Sequence, residues 1–471
     1  MSSRTDVTIV GGGPVGLVMS VVLSALGVRN TIIERDRSVY GLPRAIVMDA
    51  EVRHSLERLG LGPQLARVLE PMRAADFVDA TGLRLMGIDL SEISLFGGAA
   101  VSKHFQPMLD TMLRKEVQER GAEALFGREV VAHHQTADGV ILRLDDGSTL
   151  ESQYLIACDG ASSRTRKSEE MILDDLGFDQ DWLVVDLELV DRPTSGLPDV
   201  TRQVCDPARP TTLVSGFGNY YRFEFQLQPA ESPALMSEDD AVWDLLSRWL
   251  VPSQARIVRR AAYRFHAVVA QTLRHRRVLL AGDSAHQMPP FMGQGLNSGM
   301  RDALNLGWKL AYVLRNWCGE SLLDTYGMER IPHVRSAVRQ SVETGRLIDQ
   351  LAGRTSHGVG SDAGYGGTHR YEALSSGVVV KGSEHVGKPH PLWHRVAVTA
   401  HDEFVVLHSC NVPSEVSIRR IPLSMTAADQ ILTLGHDCVV VRPDGYVAAT
   451  STASELDQAL RALETALAVV D

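Results

Sequence analysis

The chain lacks the marks of several large protein classes. Its five cysteines, at 158, 205, 318, 410 and 438 of 471 residues, show neither a CxxC pair nor a metal-ligand spacing. Their odd number suits reduced thiols better than a disulfide framework. No apolar run is long enough to span a bilayer. The polar opening Met1–Asp6, followed by an apolar stretch broken by glycines, does not read as a secretory leader. A net charge of −11 without a basic stripe argues against nucleic acid as a partner. No Ser/His/Asp triad and no metal cluster can be read. These absences lead us to expect a cytoplasmic protein without a metal and without a membrane or nucleic-acid partner.

What is present is apolar bulk, organised by glycine. With 44% hydrophobic residues the chain can bury more than one core, and two domains with a small third are expected. Asp6–Val10 is a short β-rich run, followed by Gly11-Gly12-Gly13-Pro14-Val15-Gly16 and an apolar helix from about Leu17 to Leu26. Gly11, Gly13 and Gly16 fit a dinucleotide fingerprint: a tight turn, close backbone approach to a pyrophosphate, and helix packing on strand. Thr31–Glu34 reads as the next strand and ends in an acid suited to a ribose diol, with Arg35 beside it.

A second segment has the same grammar. Arg277–Ala281 reads as a buried strand, and Leu296, Met300, Leu304, Gly307, Leu310, Ala311 and Leu314 recur at helical spacing. Between them lie Gly282, Asp283, Pro289, Pro290, Gly293 and Gly295. Asp283 is thus expected at a strand's carboxyl end and Gly293–Asn297 at a helix amino end, where free N–H groups favour an anion or an electron-rich carbonyl.

With the glycine turn, the stretch Cys158-Asp159-Gly160-Ala161-Ser162-Ser163-Arg164 and the Gly282-Asp283 turn, the chain resembles the single-component FAD-dependent aromatic hydroxylases. The runs Asp175–Asp186, Cys205–Thr212, Met288–Gly295, Leu323–Tyr326 and Glu329–His333 are similar to the 3-(3-hydroxyphenyl)propionate hydroxylase branch. The likeness covers most of residues 5 to 335. Two positions depart from it: Ser284 stands where the family usually has alanine, and Lys167–Met171 fits poorly after the Asp-Gly motif.

The resemblance implies an α/β fold: a Rossmann-like FAD-binding domain from 1–175 and 270–350, interleaved with an antiparallel-sheet substrate domain from 176–269. A small thioredoxin-like domain would follow at 380–471, after a flexible connection over Gly353–Gly367. FAD would be held by Gly11, Gly13, Pro14, Val15, Gly16, Glu34 and Arg35 at its ADP end. Arg44 would meet the pyrophosphate, Gln106 and Asp283 the ribityl chain, and Pro290, Gly293, Gly295, Leu296 and Asn297 the flavin ring. Asp159 would link the flavin to the path of NADH or NADPH, which would bind transiently because only one glycine fingerprint is present.

The implied reaction is hydroxylation of a phenolic ring with O2 and NAD(P)H through a flavin C4a-hydroperoxide, most simply on a small aromatic acid such as 3-(3-hydroxyphenyl)propionate. Pro290 would wall the reactive edge. His266 is a candidate for the phenolic proton, and Tyr221 or Arg222 for holding a phenol or carboxylate, since Tyr221, Phe223 and Phe225 share one strand face and Arg222, Glu224 and Gln226 the other. His286 is expected to bond its own loop. Two other readings stand beside this one: the same chemistry on a polycyclic natural product, and a non-catalytic flavin-binding sensor. Tryptophans at 182, 243, 249, 308, 317 and 393 never fall two apart, which argues against a flavin halogenase. A homodimer is expected.

Overall fold

In the computed structural model the description covers residues 3–94, 96–354 and 373–468, apart from 381, 392, 397–400, 411, 413–416, 419–420 and 429–432. Most of the glycine-rich connection therefore lies outside the described residues.

Five parallel strands form the centre of the first sheet, in the order Val278–Leu280, Thr149–Ala157, Ser3–Val10, Asn30–Glu34 and Glu123–Phe126. Val7, Ile9, Ile32, Ile156 and Leu279 are fully buried on it, as expected where helices cover a parallel sheet. Helix Pro14–Ala25 starts with proline in its first turn and buries Leu17–Leu23. It packs on helix Gln294–Leu314, where a Cβ at Gly307 would come within 2.3 Å of Val22. Glycine is what lets the two helices approach.

The second sheet has eight strands, in the order His286–Gln287, Ala255–Ala270, Leu173–Leu189, Tyr220–Gln226, Thr211–Ser215, Thr201–Cys205, Ala74–Asp79 and Arg84–Asp89. Its pairings are antiparallel except for Thr201–Cys205 with Ala74–Asp79. The sequence reading leaves the 77–90 region with the first segment. In the structure these strands extend the second sheet, through a parallel pairing to residues more than a hundred positions later, which no local periodicity reports.

A four-stranded sheet, Leu423–Ala427, Phe404–His408, Cys438–Val441 and Val447–Ser451, with helix Leu456–Leu467, closes the chain. It packs on helix Gln294–Leu314 through Phe404, edge-on to Trp308 at 5.9 Å between centroids. Buried charge also joins them: Glu329 meets Arg442 at 2.9 Å and Lys309 at 2.7 Å. Among the described residues no helix is long and apolar enough to cross a membrane.

Candidate active site

A cavity of about 830 Å³ lies between the two large sheets. Gly13, Pro14, Val15, Arg44, Gln106, Asp283, Pro290, Gly293, Gly295, Leu296 and Asn297 all line it, so residues far apart in sequence meet around one space. Two helix amino ends, at Pro14 and Gln294, open onto it, presenting unpaired N–H groups and the positive end of each helix dipole.

The glycines differ in their work. Gly11, at φ +107°, would put a Cβ 2.2 Å from the Cys158 carbonyl oxygen, and a Cβ on Gly16 would fall 2.0 Å from that of Gly11. These two close the packing. At Gly13 and Gly295 a Cβ would meet nothing within 4 Å; both face the open cavity. Gly293 takes φ +63°, a conformation that favours glycine, at the junction of the proline turn and the helix.

Asp283 follows strand Val278–Leu280 with its surface open to the cavity, which the surrounding protein encloses. Burial pushes its carboxyl above the ordinary carboxylate range, against the pull of His286 and Arg44. Arg44 lies over the Tyr40 ring, 4.4 Å from its centroid, and keeps its guanidinium available to the cavity. Gln106 accepts the Ala45 N–H at 2.8 Å, and its amide donates to Asp110 at 3.2 Å. Asn297 donates to the Gly293 carbonyl at 2.8 Å and accepts the Asp49 N–H at 3.1 Å, which ties the proline turn to strand Val47–Asp49.

Other expected residues lie elsewhere. Glu34 and Arg35 are outside the cavity lining; Glu34 accepts the N–H groups of Gly12 at 2.6 Å and Asp36 at 2.8 Å, and Arg35 is exposed. Asp159 also lies just outside, between the lining residues Cys158 and Gly160, and accepts the Thr165 N–H at 3.1 Å. Just before the stretch that departs from the family pattern, Arg166 is buried and donates to the Ser284 carbonyl at 2.8 Å and the Ala161 carbonyl at 3.1 Å. Ser284 itself donates to the Ala157 carbonyl at 2.6 Å, stitching the turn to the parallel sheet. His286 is buried and paired with Asp302 at 2.7 Å; burial pushes Asp302 up, but His286 and Arg330 outweigh it and hold it below the ordinary range.

On strand Tyr220–Gln226 the face is decided. Tyr221 is a core residue: it is buried, donates to the Pro198 carbonyl at 3.0 Å, and belongs with Phe223 and Phe225 to the layer packed on Val242 and Leu246. Tyr221 is therefore corrected from candidate substrate contact to core. Arg222 and Glu224 face the cavity. Arg222 is held by Asp186 at 2.6 Å and by the Arg44 carbonyl at 2.6 Å. His266 lines the cavity but is half exposed, 4.0 Å from Asp179.

The sequence reading did not single out Asp49, Glu51 and Arg301. Arg301 donates to Glu51 at 2.9 Å and also to Asp49, and both acids line the cavity. One signal was available: Asn297 and Arg301 stand one helical turn apart on the same face.

A parallel-sheet nucleotide unit facing an antiparallel sheet across such a cavity defines a protein built around a dinucleotide cofactor. Residues 4–341 match the FAD binding domain family, and the chain belongs to it. A probable NADH-specific resorcinol 4-hydroxylase of Rhodococcus jostii (strain RHA1) is 37% identical over 348 residues, 73% of this chain and 65% of that protein. A 3-(3-hydroxy-phenyl)propionate/3-hydroxycinnamic acid hydroxylase of Mycobacterium sp. (strain JLS) is 36% identical over 350 residues, 73% of this chain and 60% of that protein. The chain thus spans less than two thirds of the length of either relative. Its fold matches that of aklavinone-11 hydroxylase, solved with FAD and aklavinone, with a TM-score of 0.83 and 21% identity over 99% of this chain and 100% of that one.

Proposed function

We propose that the protein is an FAD-dependent, NAD(P)H-consuming monooxygenase that hydroxylates a phenolic ring. One observation carries this reading: a single cavity runs from the Gly13 turn, past Asp283 and the Pro290 turn, to the face of the antiparallel sheet. The relatives' hydroxylase names support it.

The residues present fit FAD. Gly13 and Gly295 leave open the space a side chain would enter, beside two helix amino ends and one available guanidinium. Gly13–Val15 would hold the pyrophosphate with Arg44, Asp283 and Gln106 the ribityl chain, and Gly293–Asn297 the ring. Glu34 would accept from the adenosine ribose. When bound, FAD supplies electron transfer from the nicotinamide and activation of dioxygen. The protein's part is to orient the ring, exclude water and stabilise charge. Pro290 gives a stiff wall that carries no N–H. Arg222 positions the Pro43–Arg44 loop against the antiparallel sheet, and His266 lies at the cavity lining with access to solvent for proton exchange. Overall, one oxygen atom enters the ring and the other leaves as water, while NAD(P)H gives up a hydride.

The same reading places transient nicotinamide binding near Asp159, the protein in the cytoplasm, and neither membrane nor nucleic acid among its partners. It assigns residues 1–175 and 270–350 to FAD, 176–269 to substrate, and 380–471 to a thioredoxin-like unit that serves packing or a homodimer contact. The test is purification followed by a panel of phenols, with NADH and NADPH oxidation, peroxide and product mass followed together. A phenol that gains one oxygen at the cost of reduced nicotinamide supports the reading. Bound flavin without turnover on any aromatic compound would instead favour a flavin-binding sensor.

A further inference from the structure

The cavity floor is the face of the antiparallel sheet, and the pairing register fixes who stands beside whom. One transverse row runs Phe77, Gln203, Thr212, Glu224 and Val184; the next carries Val214, Arg222, Asp186 and Arg259. All but Asp186 line the cavity.

The cations of the second row are already engaged. Arg222 donates to Asp186 at 2.6 and 3.2 Å, to the Arg44 carbonyl at 2.6 Å and to the Pro43 carbonyl at 3.2 Å. Arg259 donates to the Pro43 carbonyl and to Asp186 at 3.4 Å, and lies over Tyr263, 5.0 Å from its ring centroid. Two guanidiniums stand against the carboxylates of Asp186 and Glu224, so the floor is neutral as it is.

The first row has spent its donors. Thr212 donates to Gln203 at 2.6 Å, and the Gln203 amide donates to the Val204 and Thr211 carbonyls, both at 3.3 Å. What remains is acceptor capacity, chiefly Glu224. This side chain is buried, lies 3.7 Å from the nearest Arg222 nitrogen, and makes no hydrogen bond among the described residues. Glu224 opens onto the cavity, so a donor arriving there meets a carboxylate that no protein donor already satisfies.

We propose that Glu224 is the specificity-determining residue of this cavity, that it accepts a hydrogen bond from a ring hydroxyl, and that the substrate is an uncharged phenol rather than a hydroxyaryl carboxylate. The proposal rests on the aromatic-hydroxylase reading and deepens it. A phenol brings the missing donor and adds no charge to a neutral floor. A substrate carboxylate brings another acceptor and sets like charge beside Glu224. The nearest cation, Arg222 at 3.7 Å, is already bound to Asp186 and to the Pro43–Arg44 loop, and Arg259 is bound to the same loop and to Asp186. Burial also pushes the Glu224 carboxyl above its ordinary range, against Arg222, the state a hydroxyl donor relieves.

The experiment titrates the FAD-loaded protein with resorcinol and with 3-(3-hydroxyphenyl)propionate, reading the perturbation of the flavin spectrum. Resorcinol should bind about tenfold or more tightly, the range of one hydrogen bond to a charged group. Glu224→Gln should weaken resorcinol by a similar factor and narrow the gap to the acid, with FAD content unchanged. If Glu224→Gln does not fold, the wild-type pair of ligands still decides. Equal or tighter binding of the acid, or resorcinol affinity indifferent to Glu224→Gln, overturns the assignment while leaving the hydroxylase reading standing. If no phenol perturbs the flavin or stimulates NADH oxidation, both fall together.

Discussion

Gly11 and Gly13 stand two positions apart in one turn, yet a side chain does different damage at each. At Gly11 a Cβ enters the Cys158 carbonyl at a backbone φ of +107°, so Gly11→Ala should cost about 2–4 kcal/mol of fold stability through strain and overpacking. Chemical denaturation checks this. At Gly13 the Cβ points into open cavity, so Gly13→Leu should leave the denaturation midpoint of the apoprotein nearly unchanged and yield colourless protein. Yellow Gly13→Leu protein with wild-type FAD affinity would remove the pyrophosphate role of this turn. Asp283→Ala belongs with it: loss of a charge-assisted hydrogen bond should weaken FAD about tenfold or more, and unchanged affinity by equilibrium dialysis would show that the ribityl role lies elsewhere.

At the scale of elements, helix Gln294–Leu314 ties the site together by its spacing. Asn297, Arg301 and Asn305 fall four apart on one face. Asn297 holds the proline turn to strand Val47–Asp49, Arg301 grips Asp49 and Glu51, and Asn305 donates to Glu329 at 2.7 Å. From the C-terminal sheet Tyr446 donates to Glu51 at 3.0 Å, so a residue outside the matched family segment supports the cavity wall. Tyr446→Phe leaves a buried acceptor short of a donor and should cost about 1–3 kcal/mol, with a smaller loss of FAD affinity. A Tyr446→Phe protein as stable as wild type would show that the contact contributes nothing.

Much of this level was legible in the sequence. The strand–glycine–helix segments at 6–26 and 277–314 follow from local periodicity and turn chemistry, and the structure forms them within a few residues of the expected ends. The alternation at 220–227 announces two faces. It does not say which one meets the cavity, because both are covered: Tyr221, Phe223 and Phe225 by helix Asp239–Leu246, Arg222 and Glu224 by the cavity and the Pro43–Arg44 loop. Tyr446 and Glu51, 395 positions apart, are joined only by tertiary packing, and the same is true of Ala74–Asp79 in the second sheet.

For the whole molecule, buried titratable sites, Glu329 and His104 among them, tie the stability of the fold to pH. Glu329 lies at the junction of the C-terminal sheet with the helices. Burial raises its pKa, but Arg442 and Lys309 outweigh burial and bring it to about 2. His104 is buried with both ring nitrogens unpartnered, and burial, with Arg222 nearby, lowers its pKa to about 3. Both groups bind protons more readily when unfolded, so each contribution to stability grows with pH and is lost on acidification. The His104 contribution is complete above its ordinary value of 6.5 and disappears as pH falls toward about 3. That of Glu329 is complete above 4.5 and disappears toward about 2. Denaturant unfolding of the apoprotein should therefore show stability falling in two overlapping stages, the first beginning near pH 6.5. His104→Phe fills similar space without a titrating group, so it should flatten the first stage and leave the second. Glu329→Gln leaves Lys309 buried without its acid and Arg442 with Asp444 alone, and should cost about 3–5 kcal/mol at neutral pH. A His104→Phe protein whose stability still declines from pH 6.5 as steeply as wild type would place that acid sensitivity in another group.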